Sequence, residues 1–196
     1  MKRYFPIIVC LSIVLLLCFF SLKETQSEHF NTYPNLPAPI GMEKILITSS
    51  GQAPEGSILP KIAERLNLEA DYRPRALGSD LYDYNSVIIM LGYSANGLTQ
   101  TNRSFKEEMN RTRKLLKEAE NTSLPVILIN ISGFYRDDNR SMKLFKVALP
   151  YADYFIGLKN TKNKAKQIQQ LRNHQVPVTL VNDLEDLTVP FNAIFR

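Results

Sequence analysis

The sequence predicts an α/β domain: a doubly wound, mostly parallel sheet of five or six strands with helices on both faces, Rossmann-like or flavodoxin-like, preceded by an N-terminal transmembrane or signal helix. Three observations carry this expectation. Short apolar runs rich in Ile and Val recur from Glu43 onward, each bounded by turn residues. Strands read this way when both of their faces are covered. Segments with apolar residues on one helical stripe lie between those runs. The composition is globular: 44% hydrophobic and 22% charged residues exclude disordered, collagen-like and coiled-coil classes.

The first element is an address. Met1-Lys2-Arg3 precedes Phe5–Leu22, a run of 18 residues without a charge. As a helix it measures about 27 Å, enough to span a hydrocarbon core. The positive flank and the polar chain that follows favour an inside N-terminus and an outside domain. Three readings stay open. A signal anchor remains uncleaved, since no Ala-x-Ala site follows. A cleaved signal peptide uses the small residues of Thr25-Gln26-Ser27. A lipoprotein uses Cys10 or Cys18, although Val9 and Leu17 stand where a small residue is wanted. The expected location is the cell membrane, single-pass with the domain outside, or secreted if the signal is cleaved. Both cysteines of the chain lie in this run, so the rest neither forms nor loses a disulfide. Residues 23–42, with Pro34, Pro37 and Pro39, read as an extended tether, and residues 43–196 as the domain.

Within the domain, Lys44–Thr48, Ser86–Leu91, Val126–Ile131, Tyr154–Leu158 and Val178–Val181 are the predicted strands, with Glu69–Arg73 as an edge strand. Ser57–Leu66, Arg103–Glu120, Ser141–Leu149, Lys162–His174 and Leu184–Phe195 are the predicted helices. Pro60 fits a first helical turn, where a missing N–H costs little. Arg103–Glu120 places Phe105, Met109, Leu116 and Ala119 on its apolar stripe, and its mixed charges, Arg103, Arg111, Glu107 and Glu108 among them, read as a solvated face. Strand–helix–strand repetition requires right-handed crossovers, with strand order 2-1-3-4-5 or the dinucleotide-fold order.

Ligands of such sheets bind at the strand carboxyl ends, where the order reverses. The loops that fall there are Ser49–Ser57, Gly92–Thr99 and Ser132–Asp138. They hold five of the 8 glycines of the chain. The candidate ligand-binding residues are Ser49, Ser50, Gly51, Gln52, Tyr93, Ser94, Asn96, Gly97, Ser132 and Gly133. Their hydroxyls, amides and backbone N–H groups supply donors and acceptors, and glycine lets backbone approach a ligand closely. The competing explanation is that turns and helix caps need Gly and Ser in any case.

Several chemistries are disfavoured. Gly51 to Gly56 has the glycine spacing of a phosphate-binding loop, but Ser57 stands where the phosphate-neutralising lysine belongs. A bare anion at the following helix N-terminus stays open. No Gly-x-Gly-x-x-Gly follows any strand. The chain has 2 histidines: His29 in the tether, and His174 at a helix end on the opposite rim, so no base reaches the rim serines. Glu55, Asp137, Asp138 and Asp183 are the rim carboxylates. Asp183 reads as a helix cap and Asp137-Asp138 as a solvated pair. No metal and no cofactor is expected. The chain carries 24 Lys+Arg against 19 Asp+Glu, net +5, with Lys2 and Arg3 in the address. Lys159, Lys162, Lys164, Lys166 and Arg172 form a basic patch suited to an anionic membrane surface. An exported location removes nucleic acid as a partner. The sequons at Asn102, Asn110, Asn121, Asn130 and Asn139 are read as chance.

Ile45-Leu-Ile-Thr-Ser-Ser-Gly-Gln, Val87-Ile-Ile-Met-Leu-Gly-Tyr-Ser-Ala-Asn-Gly-Leu, Pro125-Val-Ile-Leu-Ile-Asn-Ile-Ser-Gly and Pro150-Tyr-Ala-Asp-Tyr-Phe-Ile together resemble an uncharacterised family of exported bacterial single-domain proteins, a domain of unknown function. The resemblance covers residues 43–196 and implies the α/β fold but no activity. The expected function is a membrane-tethered extracytoplasmic domain that binds a small polar or anionic ligand on the strand carboxyl rim. The alternatives are an enzyme using Glu55 or Asp137 as acid/base, and an envelope protein-interaction module, for which the run with Tyr151, Tyr154 and Phe155 offers an apolar patch, although core burial is the favoured reading of those residues.

Overall fold

The computed structural model describes residues 35–133 and 136–196. The predicted membrane or signal run at 5–22 and the first part of the tether lie outside the described residues, as do Phe134 and Tyr135.

Strands β1 (Ile45–Ser50), β2 (Ala70–Tyr72), β3 (Ser86–Leu91), β4 (Val126–Asn130), β5 (Tyr154–Leu158) and β6 (Val178–Val181) form one sheet. Its order is β2-β1-β3-β4-β5-β6, and every pairing is parallel. This is the predicted 2-1-3-4-5 order with a sixth strand added beside β5. The dinucleotide-fold alternative does not form. Glu69–Arg73 does supply an edge strand, β2, as its weaker apolar pattern suggested.

Every residue of β1 and β3 is buried, because helices cover both faces. Alternate residues of one strand feed different cores. Val87, Ile89 and Leu91 pack with Leu115 and Leu116 of α3 (Phe105–Asn121), with Met142 and Phe145 of α4 (Asn139–Ala148), and with Leu171 of α5 (Lys164–Asn173). Ile88 and Met90 pack with Leu59 and Ile62 of α1 (Leu59–Arg65) and with Phe191 of α6 (Thr188–Asn192). The crossover from β2 to β3 uses a 3-10 turn, Gly78–Asp83, whose Leu81 enters the first core.

A further helix, α2 (Ala95–Gln100), occupies a stretch that the sequence assigns to a loop. Ser94 caps it, accepting the Gly97 N–H at 3.1 Å. Helix α3 starts where the Ser104 hydroxyl accepts the Glu107 N–H and Glu107 accepts the Ser104 N–H in return, a reciprocal cap.

The chain before β1 packs on the domain. Leu36 is buried, Ile40 packs against the second core, and the N–H groups of Ile40 and Gly41 both donate to the Ile194 carbonyl. Among the described residues no helix is long and apolar enough to cross a membrane.

Candidate functional site

The strand order reverses at β1, which has β2 on one side and β3 on the other. The loops after β1, β3 and β4 are therefore neighbours along one edge. The seam between the first two is closed. Gly92 N–H donates to the Ser50 carbonyl at 3.0 Å, Ser94 N–H donates to the Gly51 carbonyl at 2.8 Å, and Gln52 and Tyr93 form an antiparallel bridge. Gly51 sits at φ +96, and a Cβ there would press on the Gly92 carbonyl and on Leu144. A Cβ at Gly97 would press on the Gln52 carbonyl. These glycines let two loops meet each other. The phosphate-loop spacing has a similar outcome: Pro54–Ile58 forms a 3-10 turn leading into α1, with Gly56 buried close to the Tyr72 hydroxyl.

A charged cluster lies beneath this seam. Glu108 and Arg111, on α3, have side chains 0% and 5% exposed and pair at 2.8 Å. Oε1 of Glu108 also accepts the Gly51 N–H and the Gln52 amide, each at 3.0 Å. Arg111 donates to the carbonyls of Ala76 and Ser49. Arg103 stands 3.9 Å away from the other Glu108 oxygen. Burial alone would raise the Glu108 carboxyl, but the Arg111 guanidinium, the Gln52 amide and the Gly51 N–H together hold it below the ordinary range. Glu108 and Arg111 thus belong to the interior and not to the solvated face expected of them. Gln52 has a left-handed backbone, φ 59, a strained conformation for a non-glycine residue. Its amide is fixed from two sides, by Glu108 and by the Pro74 carbonyl at 2.9 Å.

Between the loop after β2 and helix α2 the rim over β1 is open. A cavity of about 300 Å³ is lined by residues that include Ser49, Gln52, Tyr72, Arg75, Asn96 and Arg136. That is near the lower bound for small-molecule sites. Ser49 is 1% exposed, and its hydroxyl has no partner among the described residues. A buried polar group without a partner is costly. Arg75 reaches one carbonyl, that of Gln100, at 3.3 Å. Arg136 comes from the loop after β4, with its Nε 2.7 Å from Glu55. Larger concavities of about 580, 580 and 510 Å³ lie elsewhere, and none of these three has a buried unpartnered polar side chain on its wall.

The ten candidate residues divide between seam and cavity. Ser49, Gln52, Ser94, Asn96 and Gly97 line the cavity. Ser50 turns to the opposite face and bonds Thr112 at 3.0 Å. Gly51 belongs to the seam. Tyr93 bridges Gln52 and carries Arg140 over its ring at 4.6 Å. Ser132 bonds the Leu91 carbonyl, and Gly133, φ +65, accepts the Arg136 N–H at 3.4 Å on its carbonyl. Tyr72, Arg75 and Arg136 line the cavity without being among the sequence candidates: Tyr72 ends the short β2, Arg75 lies in the loop after it, and Arg136 lies in the loop after β4. An Arg-Pro-Arg stretch just after an edge strand was the available signal.

The carboxylates weighed for acid–base chemistry are engaged separately. Glu55 pairs with Arg136. Asp137 takes the N–H and side-chain amide of Asn163, and Asp138 caps α4 through the Ser141 N–H, so the pair is not simply solvated. Asp183 accepts the N–H groups of Glu185 and Asp186, as a cap does. No cluster of three or more metal-ligating residues occurs among the described residues. Tyr154 and Phe155 are buried, as the core reading of that run expects, and Tyr151 is partly buried, so these three residues do not form an exposed apolar patch.

Residues 42–195 match the family described as Domain of unknown function (DUF6305). No curated protein matches the chain.

Proposed function

The chain belongs to that domain-of-unknown-function family, DUF6305, and from this premise, which supplies no activity, we propose that it is a membrane-tethered extracytoplasmic domain that binds a small polar or anionic ligand in the cavity beside β1. The observation that carries the reading is Ser49: the residue is 1% exposed, its hydroxyl has no partner among the described residues, and it lines a cavity at the reversal point of the sheet. The surrounding polar groups are held in place, Gln52 by two hydrogen bonds and Arg136 by Glu55, so little ordering remains for binding to impose. Support for the tether is the uncharged run Phe5–Leu22 behind Lys2 and Arg3.

The test is a thermal-shift screen of polar metabolites on the full chain, repeated on Asn96→Trp. Asn96 is exposed on the cavity wall, so the indole blocks the mouth without entering the core. The reading expects at least one reproducible rise in melting temperature, lost in Asn96→Trp. No rise from any compound, or a rise undiminished by the block, overturns it.

A further inference from the structure

We propose that the group recognised in the rim cavity is an oxyanion, a carboxylate or a phosphate, and that Glu55 is its internal stand-in on Arg136. The proposal rests on the reading that this cavity is the ligand site, and it adds a chemical class and a built-in competitor.

The lining residues include no Asp or Glu, yet Arg75 and Arg136 are both among them. A cavity with two guanidinium groups and no carboxylate on its wall selects negative charge. Arginine presents forked donors that match the oxygens of a carboxylate or phosphate. Neither guanidinium is fully occupied. Arg136 gives Nε to Glu55 and approaches the Tyr93 carbonyl with Nη1 at 3.5 Å, which is too long for a good bond. Arg75 makes the single contact to the Gln100 carbonyl. From the wall, the Ser49 hydroxyl supplies an unused donor. Tyr72 adds another hydroxyl, and since burial raises its pKa, it keeps its proton at neutral pH.

Glu55 is the anion already present. It is carried by the 3-10 turn after β1, outside the residues that line the cavity, and reaches Arg136 from the side. Oε1 is 2.7 Å from Arg136, while Oε2 is buried and has no partner among the described residues. The carboxylate is thus half satisfied. An incoming oxyanion that also bonds Ser49 and Arg75 satisfies groups that Glu55 cannot reach. Glu55 neutralises Arg136 when the cavity is free and competes with the ligand when it is not.

Calorimetric titrations of the full chain at low ionic strength with citrate, inorganic phosphate and sorbitol decide the matter. Citrate or phosphate should bind and sorbitol should not; which anion binds more tightly assigns the carboxylate or the phosphate. Arg75→Gln and Arg136→Gln should each weaken binding by about tenfold, the loss of one charge-assisted hydrogen bond. Glu55→Gln should tighten it by about threefold, the weight of a partly exposed ion pair. Arg75 is exposed, so its variant reads binding even if Arg136→Gln folds poorly. If sorbitol binds in an Asn96→Trp-sensitive way and neither anion does, the cavity reading stands and the oxyanion proposal falls. If none of the three binds, the oxyanion proposal falls, while the cavity reading stands or falls on the wider thermal-shift screen. Weaker anion binding in Glu55→Gln, or unchanged binding in Arg75→Gln, overturns the proposal alone.

Discussion

Two crevices flank β1 at its carboxyl end, and they are built differently. Toward β3 the crevice is filled by backbone: the loops bond each other, and Gly51 and Gly97 exist so that they can. Between that joint and the loop after β2 lies a cavity, walled also by α2 and by Arg136 from the loop after β4, with two arginines and a buried serine whose hydroxyl has no partner among the described residues. The glycine-rich side is the structural joint, and the arginine-bearing side is the recognition surface. Glycine at a strand end therefore marks close approach, but the approaching object can be another loop. Unpaired polar groups are the better guide to a site.

The sharpest way to break the joint is to remove its buried charge. Glu108→Ala leaves Arg111, 5% exposed, without its partner, and breaking a buried pair in this way costs about 4 kcal/mol. Urea unfolding should show it as a lower midpoint. Gly51→Ala comes next. It places a Cβ against the Gly92 carbonyl at a φ of +96, at a cost of about 3 kcal/mol from strain and overpacking. A fall below 1 kcal/mol in chemical denaturation would mean the seam is looser than described.

A pH series sharpens the same point. The Glu108 carboxyl lies below its ordinary value of 4.5 in the folded chain. Its contribution is therefore complete above that value and is lost as pH falls through the lower folded one. The melting temperature of the native chain should drop more steeply under acid than that of Glu108→Gln. Equal slopes would show that the carboxylate is not held by Arg111 and Gly51.

Much of the fold was legible. β3, β5 and β6 have their predicted bounds, because continuous apolar runs bounded by turns leave little latitude. The strand carboxyl rim was legible too, since parallel connection dictates it. What the residues hid was the rotation of α3. Its buried stripe runs Glu108, Arg111, Thr112, Leu115, Leu116 and Ala119, spaced as a helical face should be, but its first half is polar. A hydrophobicity reading shifts the stripe toward Phe105 and Met109, which are only partly buried. The charges find burial tolerable because each meets the other and the β1 loop. Arg75 and Tyr72 escaped notice because β2 is three residues long, and a strand that short gives its following loop no visible address.

The division between joint and recognition surface comes to a single residue, Ser49, whose hydroxyl would serve no purpose in an empty wall. Melting curves of Ser49→Ala with and without citrate test this directly, with Thr48→Val as the control. Both variants remove a buried hydroxyl that lacks a partner, so both should raise the melting temperature of the free protein by roughly 2–4 °C. Only Ser49→Ala should shrink the further rise that citrate gives. A lower melting temperature for free Ser49→Ala, or a citrate response equal to that of the native chain, would contradict the account.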